Sequence, residues 1–123
     1  MALGRTSFIT HKGKTICLID FHDVHDHALA IEAIEEARQF VRSQPRASLL
    51  TLTYVKDSSF NREVVAQLKE LIAGDRPYVK AAAIVGLSGI QRAIYVAVTQ
   101  LTGRRLPTFH DLDQAKDWLV SQP

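Results

Sequence analysis

Residues 79–118 read VKAAAIVGLSGIQRAIYVAVTQLTGRRLPTFHDLDQAKDW, and this stretch decides the fold class. Residues 79–87 carry no charge beyond Lys80, and their run of alanines would let helices pack closely on either side. We therefore expect a buried strand at the centre of a sheet. Apolar residues then recur at helical spacing over residues 88–102, which predicts a long helix directly after that strand.

The end of this stretch predicts an edge strand and a last helix. Residues 104–109 contain Pro107, which cannot donate a hydrogen bond to a neighbouring strand and therefore suits the edge of a sheet. Asp111 followed by Gln114 resembles a helix N-cap with its reciprocal side chain. The alternation of strands and helices is typical of an α/β fold with a mainly parallel sheet.

The N-terminal part predicts a hairpin followed by an amphipathic helix. Residues 5–10 alternate between polar and apolar side chains, and residues 15–21 are apolar on both faces apart from Asp20. Two such segments joined by a short polar turn predict an antiparallel hairpin. Apolar residues then recur at helical spacing over residues 26–42, which predicts a surface helix with Asp26 as its cap.

A third strand and a second helix complete the predicted fold. Residues 48–54 alternate leucine with threonine, which is typical of a strand. Residues 64–72 are apolar on one helical face, and we expect Gly74 to end that helix in the left-handed conformation. The sequence therefore predicts one α/β domain over residues 1–123, with a mainly parallel mixed sheet of about five strands and about four helices.

Composition excludes several classes of protein. The chain has 123 residues, of which 46% are hydrophobic and 23% charged, as in an ordinary globular domain. A net charge of +2 is too small for a nucleic-acid footprint, and no apolar run is long enough for a transmembrane segment. The lone Cys17 lies in an apolar run, where a buried, inert thiol is expected. We predict a cytoplasmic protein without a cofactor.

Four motifs carry a resemblance to a known family: RPYVK at residues 76–80, AIVGLSG at 83–89, LTGR at 101–104 and AKDWL at 115–119. With the order of the elements, they make the chain resemble the bacterial SpoIIAA-like family of STAS/SEC14 domain proteins over nearly its whole length. The resemblance implies the STAS-type fold, a sheet of about five strands with helices packed against it. It implies little about activity, because a fold alone does not confer a function.

The resemblance also implies a candidate phosphorylation site. Anti-sigma factor antagonists, the best-known STAS relatives, carry a phosphorylatable serine within Asp-Ser-Ser/Thr-Gly at the start of the helix after the third strand. One alignment matches this motif to Asp57, Ser58, Ser59 and Phe60, so that Ser58 or Ser59 is the candidate. The other alignment, anchored on the apolar face of the helix, places residues 60–63 at the motif and leaves the serines in the preceding loop, without a phosphoacceptor. We favour the second, because that apolar face must reach the core.

The turn after the buried strand is a candidate anion site. Gly86, Ser88 and Gly89 would offer backbone N–H groups at a helix start, with Arg92 on the first turn. The alternative, which we favour, is that the glycines allow a tight turn and Ser88 caps the helix. Asp20 is a further ligand candidate: it either lines a cleft or is satisfied by backbone groups at the end of its strand.

Three histidines form the strongest candidate for a metal site. His22, His25 and His27 alternate with carboxylates in a run that nearly spells His-x-His-x-Asp-His, a pattern able to bind zinc. Val24 stands where the second ligand of that pattern belongs. The alternative, which we favour, is a solvated loop whose last carboxylate, Asp26, caps the following helix.

Three functions remain open on the sequence. The first is a non-enzymatic regulatory or protein-binding module of STAS type, which would form a homodimer or bind a partner through the apolar surplus Tyr95 and Val96. The second is a binding protein for a small apolar or lipid-like ligand, which the SEC14 relationship implies. The third is an enzyme of unknown class, with Asp20, His22 and Ser88 as the first residues to substitute.

Overall fold

The computed structural model describes residues 4–87, 92–93, 95–96, 99–100 and 106–122. Five strands and three helices are defined within these residues, with one turn of 3-10 helix over Arg76–Tyr78. The strands are β1 (Thr6–His11), β2 (Lys14–Asp20), β3 (Leu49–Tyr54), β4 (Val79–Val85) and β5 (Thr108–Phe109); the helices are α1 (His27–Arg42), α2 (Arg62–Asp75) and α3 (Leu112–Val120).

The strands form one mixed sheet in the order β1-β2-β3-β4-β5. β1 and β2 pair antiparallel, and each later neighbour pairs parallel. This confirms the predicted α/β class and the hairpin. The edge strand predicted over residues 104–109 is present only as Thr108–Phe109, after Pro107. β4 is flanked on both sides but lies next to a two-residue edge strand, so that β3, and not β4 as expected, is the middle strand.

Both faces of the sheet are covered, because side chains alternate along each strand. Cys17, Ile19 and Ile84 point towards α1 and α2 and belong to the larger apolar cluster. Ile16 and Leu52 point the other way, towards Ala115 and Leu119 of α3. The alanines of β4 divide in the same manner, with Ala82 on the first face and Ala83 on the second. Helices therefore pack on either side of β4, as its sequence predicts.

Each helix begins at a residue whose side chain accepts a backbone hydrogen bond. Asp26 caps α1 by accepting from the N–H of Leu29 at 3.2 Å, and Asp111 caps α3 by accepting from the N–H of Asp113 at 2.7 Å. Both caps confirm the sequence predictions. The cap of α2 is Asn61. No helix within the described residues is long and apolar enough to cross a membrane.

The expectation that Gly74 ends α2 in the left-handed conformation is wrong. The helix continues to Asp75, and Gly74 is not among the residues with positive φ. An ideal Cβ at Gly74 would lie 1.8 Å from Nη2 of Arg42, whose Nε is 3.5 Å from Oδ1 of the buried Asp75. The glycine therefore makes room for an arginine from α1 that pairs with an interior carboxylate.

Cys17 lies inside the larger cluster with no exposed surface. Burial, reinforced by the negative charge of Asp75, raises the pKa of the Cys17 thiol to about 12. Because only a thiolate is a good nucleophile, the group stays unreactive at neutral pH. This agrees with the inert thiol predicted from the sequence.

Candidate functional site

The loops that follow β2 and β3 lie side by side, because the two strands are parallel neighbours. Two backbone hydrogen bonds join them: the N–H of Asp23 donates to the carbonyl of Lys56 at 2.9 Å, and the N–H of Ser59 donates to the carbonyl of Val24 at 3.0 Å. Val24 is fully buried beneath them. The two loops are thus one hydrogen-bonded unit at the carboxyl ends of the strands, where ligands bind in many open α/β sheets.

His25 links the two loops through both ring nitrogens. Its Nδ1 lies 2.9 Å from Oγ of Ser59, and its Nε2 lies 3.1 Å from Oδ1 of Asp23. A neutral ring with its hydrogen on Nε2 satisfies both contacts at once, since it donates to the carboxylate and accepts from the hydroxyl. All three residues are exposed.

His22 belongs to a separate contact at the end of β2. Its Nδ1 lies 2.6 Å from Oδ1 of Asp20, which also accepts from the His22 N–H at 2.9 Å. The imidazole stacks on the ring of Tyr54, with centroids 5.3 Å apart. Asp20 therefore has a backbone partner at its strand end, in agreement with the second of its two interpretations. We refer to the exposed side chains His22, Asp23, His25 and Ser59 together as the loop surface.

The three histidines predicted as metal ligands contact separate sets of partners. His22 contacts Asp20, His25 contacts Ser59 and Asp23, and Nδ1 of His27 accepts from the carboxamide of Asn61 at 3.0 Å. In the part of the chain that the structure describes, no group of three or more histidine, cysteine or acidic side chains could hold a metal ion. The metal site has no geometric support in these loops.

The two candidate serines lie in the loop before α2, where the second alignment places them. The helix starts at Arg62, after Asn61, whose side chain accepts from the N–H of Val64 at 2.9 Å. Ser58 is a turn residue, and its Oγ donates to the carbonyl of Val55 at 2.6 Å. Phosphorylation of Ser58 or Ser59 stays a prediction.

Gly86 has a geometric role that its sequence motif already suggested. Its φ is +93°, and an ideal Cβ would lie 2.7 Å from the backbone nitrogen of Lys56. A side chain here would meet both backbone strain and the loop after β3. Ser88 and Gly89 lie outside the described residues, and Arg92 is exposed and helical. The anion site at this turn stays a prediction.

The two interface candidates differ in exposure, one half-buried and the other exposed. Tyr95 is half-buried, packs against the larger cluster, and donates its hydroxyl to the carbonyl of Leu106. Tyr95 is thus used partly within the fold, because its ring packs against the core and its hydroxyl finds a backbone acceptor. Val96 is 46% exposed. The other predicted positions around them, apart from residues 92–93 and 99–100, lie outside the described residues.

A cavity of about 50 Å³ lies between α2 and the sheet. Its walls are mostly apolar, with Thr51, Thr53 and the buried Asp75 as the polar groups. Ligands of drug size occupy about 300–1,000 Å³, so the volume enclosed here suits water-sized occupants. None of the four side chains of the loop surface lines it.

The contact between His25 and Ser59 could not be read from the sequence, because the two residues are 34 positions apart. The only signal was indirect: each follows a strand of a parallel pair, and the carboxyl ends of such strands meet at one edge. Comparison with protein-family models, with curated proteins and with solved structures found no match. The resemblance to STAS proteins therefore stays a prediction from sequence motifs.

Proposed function

We propose that this chain is a regulatory module of STAS type that binds a protein partner through the loop surface. The order of strands and helices is compatible with the fold that the resemblance implies. The observation that carries the proposal is the loop surface itself, four exposed polar side chains held by two cross-linked loops.

A preorganised polar surface favours recognition of a macromolecule. Binding loses affinity when loops must be ordered, and hydrogen bonds between the β2–α1 and β3–α2 loops reduce that loss in advance. Asp23 has a φ of 54° and Asp57 a φ of 58°, left-handed conformations that the surrounding contacts maintain. The surface offers donors, acceptors and an aromatic stack to a partner, while the cavity beneath α2 is separate from it.

Site-specific cross-linking tests the location of the partner. A photo-reactive residue replaces Lys56, which is exposed beside the loop surface, or Arg46, which is exposed in the loop before β3 at the opposite end of the sheet. In cells of the native host we expect a discrete adduct from position 56 and none from position 46. Equal labelling from both positions, or none from position 56, would contradict the proposal.

Val96 is not part of the loop surface. It would serve a separate contact, in which two copies of the chain associate. Sedimentation velocity over a range of concentrations should show a dimer, and Val96→Asp should shift it to monomer, because a charge would be buried at the interface. A strict monomer that also gives no cross-linked partner would argue against a protein-binding module as a whole.

The second candidate function, binding of a small apolar ligand, rests on the cavity beneath α2. Its enclosed volume of about 50 Å³ would have to grow to admit a lipid-like molecule. Native mass spectrometry of freshly purified protein separates the two functions. An adduct that disappears on denaturation would favour the ligand, whereas the bare mass of the chain or its dimer is expected for the protein-binding module.

A further inference from the structure

Asp23, His25 and Ser59 form a continuous hydrogen-bonded chain that the protein-binding role does not require. The distances are 3.1 Å from Asp23 Oδ1 to His25 Nε2 and 2.9 Å from His25 Nδ1 to Ser59 Oγ. One neutral tautomer fits both contacts, and it leaves Nδ1 as the acceptor of the hydroxyl proton. A hydroxyl bonded to a base that a third group orients is the arrangement of an activated nucleophile.

We propose that Ser59 is a nucleophile towards small activated esters, with His25 as its general base and Asp23 as a positioning residue. Ser59 Oγ forms a bond to the carbonyl carbon of the ester while its proton moves to His25 Nδ1. The bond to the alcohol oxygen then breaks, and the leaving group departs with the electron pair and takes that proton. Water attacks the resulting acyl-serine in the same manner, which releases the carboxylic acid and restores the hydroxyl.

The backbone holds the reacting groups in place. The N–H of Ser59 donates to the carbonyl of Val24, and the N–H of Asp23 donates to the carbonyl of Lys56. Asp23 stands at a φ of 54°, a conformation that persists only where neighbouring contacts determine it. Positions that carry such strain cluster at functional sites, and here the strained residue orients the imidazole.

The exposure of these three side chains limits which substrates can react. The side chains of His25 and Asp23 are 59% and 72% exposed, and Ser59 is exposed as well, so that its hydroxyl is accessible without passage through a pocket. Water screens the charges that develop during the reaction, and the substrate must therefore be unhindered and carry a good leaving group. Ser59 stands shortly before Arg62, the first residue of α2, whose first turn has N–H groups without intrahelical acceptors.

Acetylation by p-nitrophenyl acetate is the direct test of Ser59. We expect a burst of p-nitrophenol, a mass gain of one acetyl group, and assignment of that group to Ser59 by peptide mapping. Ser59→Ala should abolish the burst, and His25→Gln should slow it about 10-fold, less than the roughly 10²–10⁴-fold typical of general-base catalysis, because the site is open to water.

Two matched controls accompany these variants. Ser58→Ala removes the neighbouring hydroxyl, which contacts a backbone carbonyl, and His11→Gln removes an imidazole that contacts an aspartate but no serine. Both should leave the burst unchanged. Circular dichroism of each variant checks folding, and the mapped acetyl group on the wild-type chain decides the case if Ser59→Ala does not fold.

Asp23 needs a measurement that a purely structural role would not change. Asparagine tolerates the left-handed conformation, so that Asp23→Asn removes the charge without new backbone strain. We expect a smaller loss of burst rate than for His25→Gln, a shift of the His25 nitrogen resonances away from the tautomer protonated on Nε2, and partial rescue by Asp23→Glu.

Acetyl groups found on lysines, on other histidines or on Ser58 would overturn the proposal, as would equal burst rates for the wild type and Ser59→Ala. No release of p-nitrophenol above the buffer rate would also overturn it. No partner protein takes part in these experiments. The outcome is therefore independent of the protein-binding module proposed above.

Discussion

The two ends of the sheet each carry a histidine next to an aspartate, but the third group differs. At the carboxyl ends of the strands, His25 lies between Asp23 and the hydroxyl of Ser59. At the opposite end, His11 Nε2 lies 2.7 Å from Oδ1 of Asp117, and Nζ of Lys12 lies 2.9 Å from the same oxygen. One histidine has a nucleophile as its neighbour, and the other shares its carboxylate with a cation.

This difference separates a reactive arrangement from a structural one. The contacts of Asp117 join the hairpin turn to α3, and Lys14 adds a hydrogen bond from its Nζ to the carbonyl of Val120 at 2.8 Å. These contacts hold α3 against the sheet. A histidine beside an aspartate is thus not a site by itself, because the chemistry depends on what the other ring nitrogen meets.

The largest effect on stability is expected when a glycine at one end of the sheet or the other is replaced by alanine. Gly86 and Gly13 have φ values of +93° and +79°, but only Gly86 faces a close neighbour, the backbone of Lys56. We expect Gly86→Ala to lower the free energy of unfolding by about 3 kcal/mol, since strain and overlap add, and Gly13→Ala by about 1 kcal/mol. Urea unfolding followed by circular dichroism measures both.

Equal losses for the two glycine variants would mean that the loop after β3 does not depend on its contact with Gly86. Nuclear magnetic resonance of the His25 ring gives a second view of the same question. Its resonances should move in Gly86→Ala and stay in place in Gly13→Ala, because only the first variant disturbs the loop that holds Ser59.

An intermediate effect on stability is expected at the N-cap of α2. Asn61→Ala removes the acceptor of the Val64 N–H and the donor to His27, and we expect a loss of about 1 kcal/mol in the free energy of unfolding. Asn61→Ser keeps a capping oxygen, but its shorter side chain does not reach His27, so its stability should stay near that of the wild type. If both variants lose stability equally, the contact with His27, and not the cap, secures the loop.

The smallest effect on stability is expected at Asp117, at the amino ends of the parallel strands, and it depends on pH. Hydrogen bonds from His11 and Lys12 hold the pKa of Asp117 below its usual value of 3.8, so the folded state favours the carboxylate. That stabilisation is present above pH 3.8 and is lost as the pH falls through the lowered pKa. Asp117→Asn should therefore unfold at lower urea concentration than the wild type at neutral pH, and the difference should shrink in acid. A difference that grows in acid would contradict this sign.

Local signals in the sequence were sufficient for most of the fold. Asp26 and Asp111 mark helix starts because a side chain caps backbone groups two or three residues away. Pro107 precedes an edge strand because it lacks the N–H that an interior position would use. Residues 15–21 are apolar on both faces apart from Asp20, which predicts a strand buried on both faces, since side chains point to opposite sides of a sheet.

Errors arose where a distant partner overrides a local signal. Gly74 resembles a helix stop, yet its role depends on Arg42 of another helix. Tyr95 is an interface candidate on the sequence, yet the carbonyl of Leu106 accepts its hydroxyl and its ring packs partly against the larger cluster. Spacing within one element contains no information about either neighbour.

The sequence by itself determined the α/β class, the order of the elements and the inert Cys17, because periodicity, capping and burial of an apolar run depend on residues close in the chain. Only the tertiary structure decided that His25 meets Ser59 and that His11 meets Asp117, contacts made across 34 and 106 positions. The physical reason is that hydrogen bonds act over about 3 Å and require a defined direction. Parallel pairing of β2 with β3 brings the first pair within that distance, and the packing of α3 across the sheet brings the second.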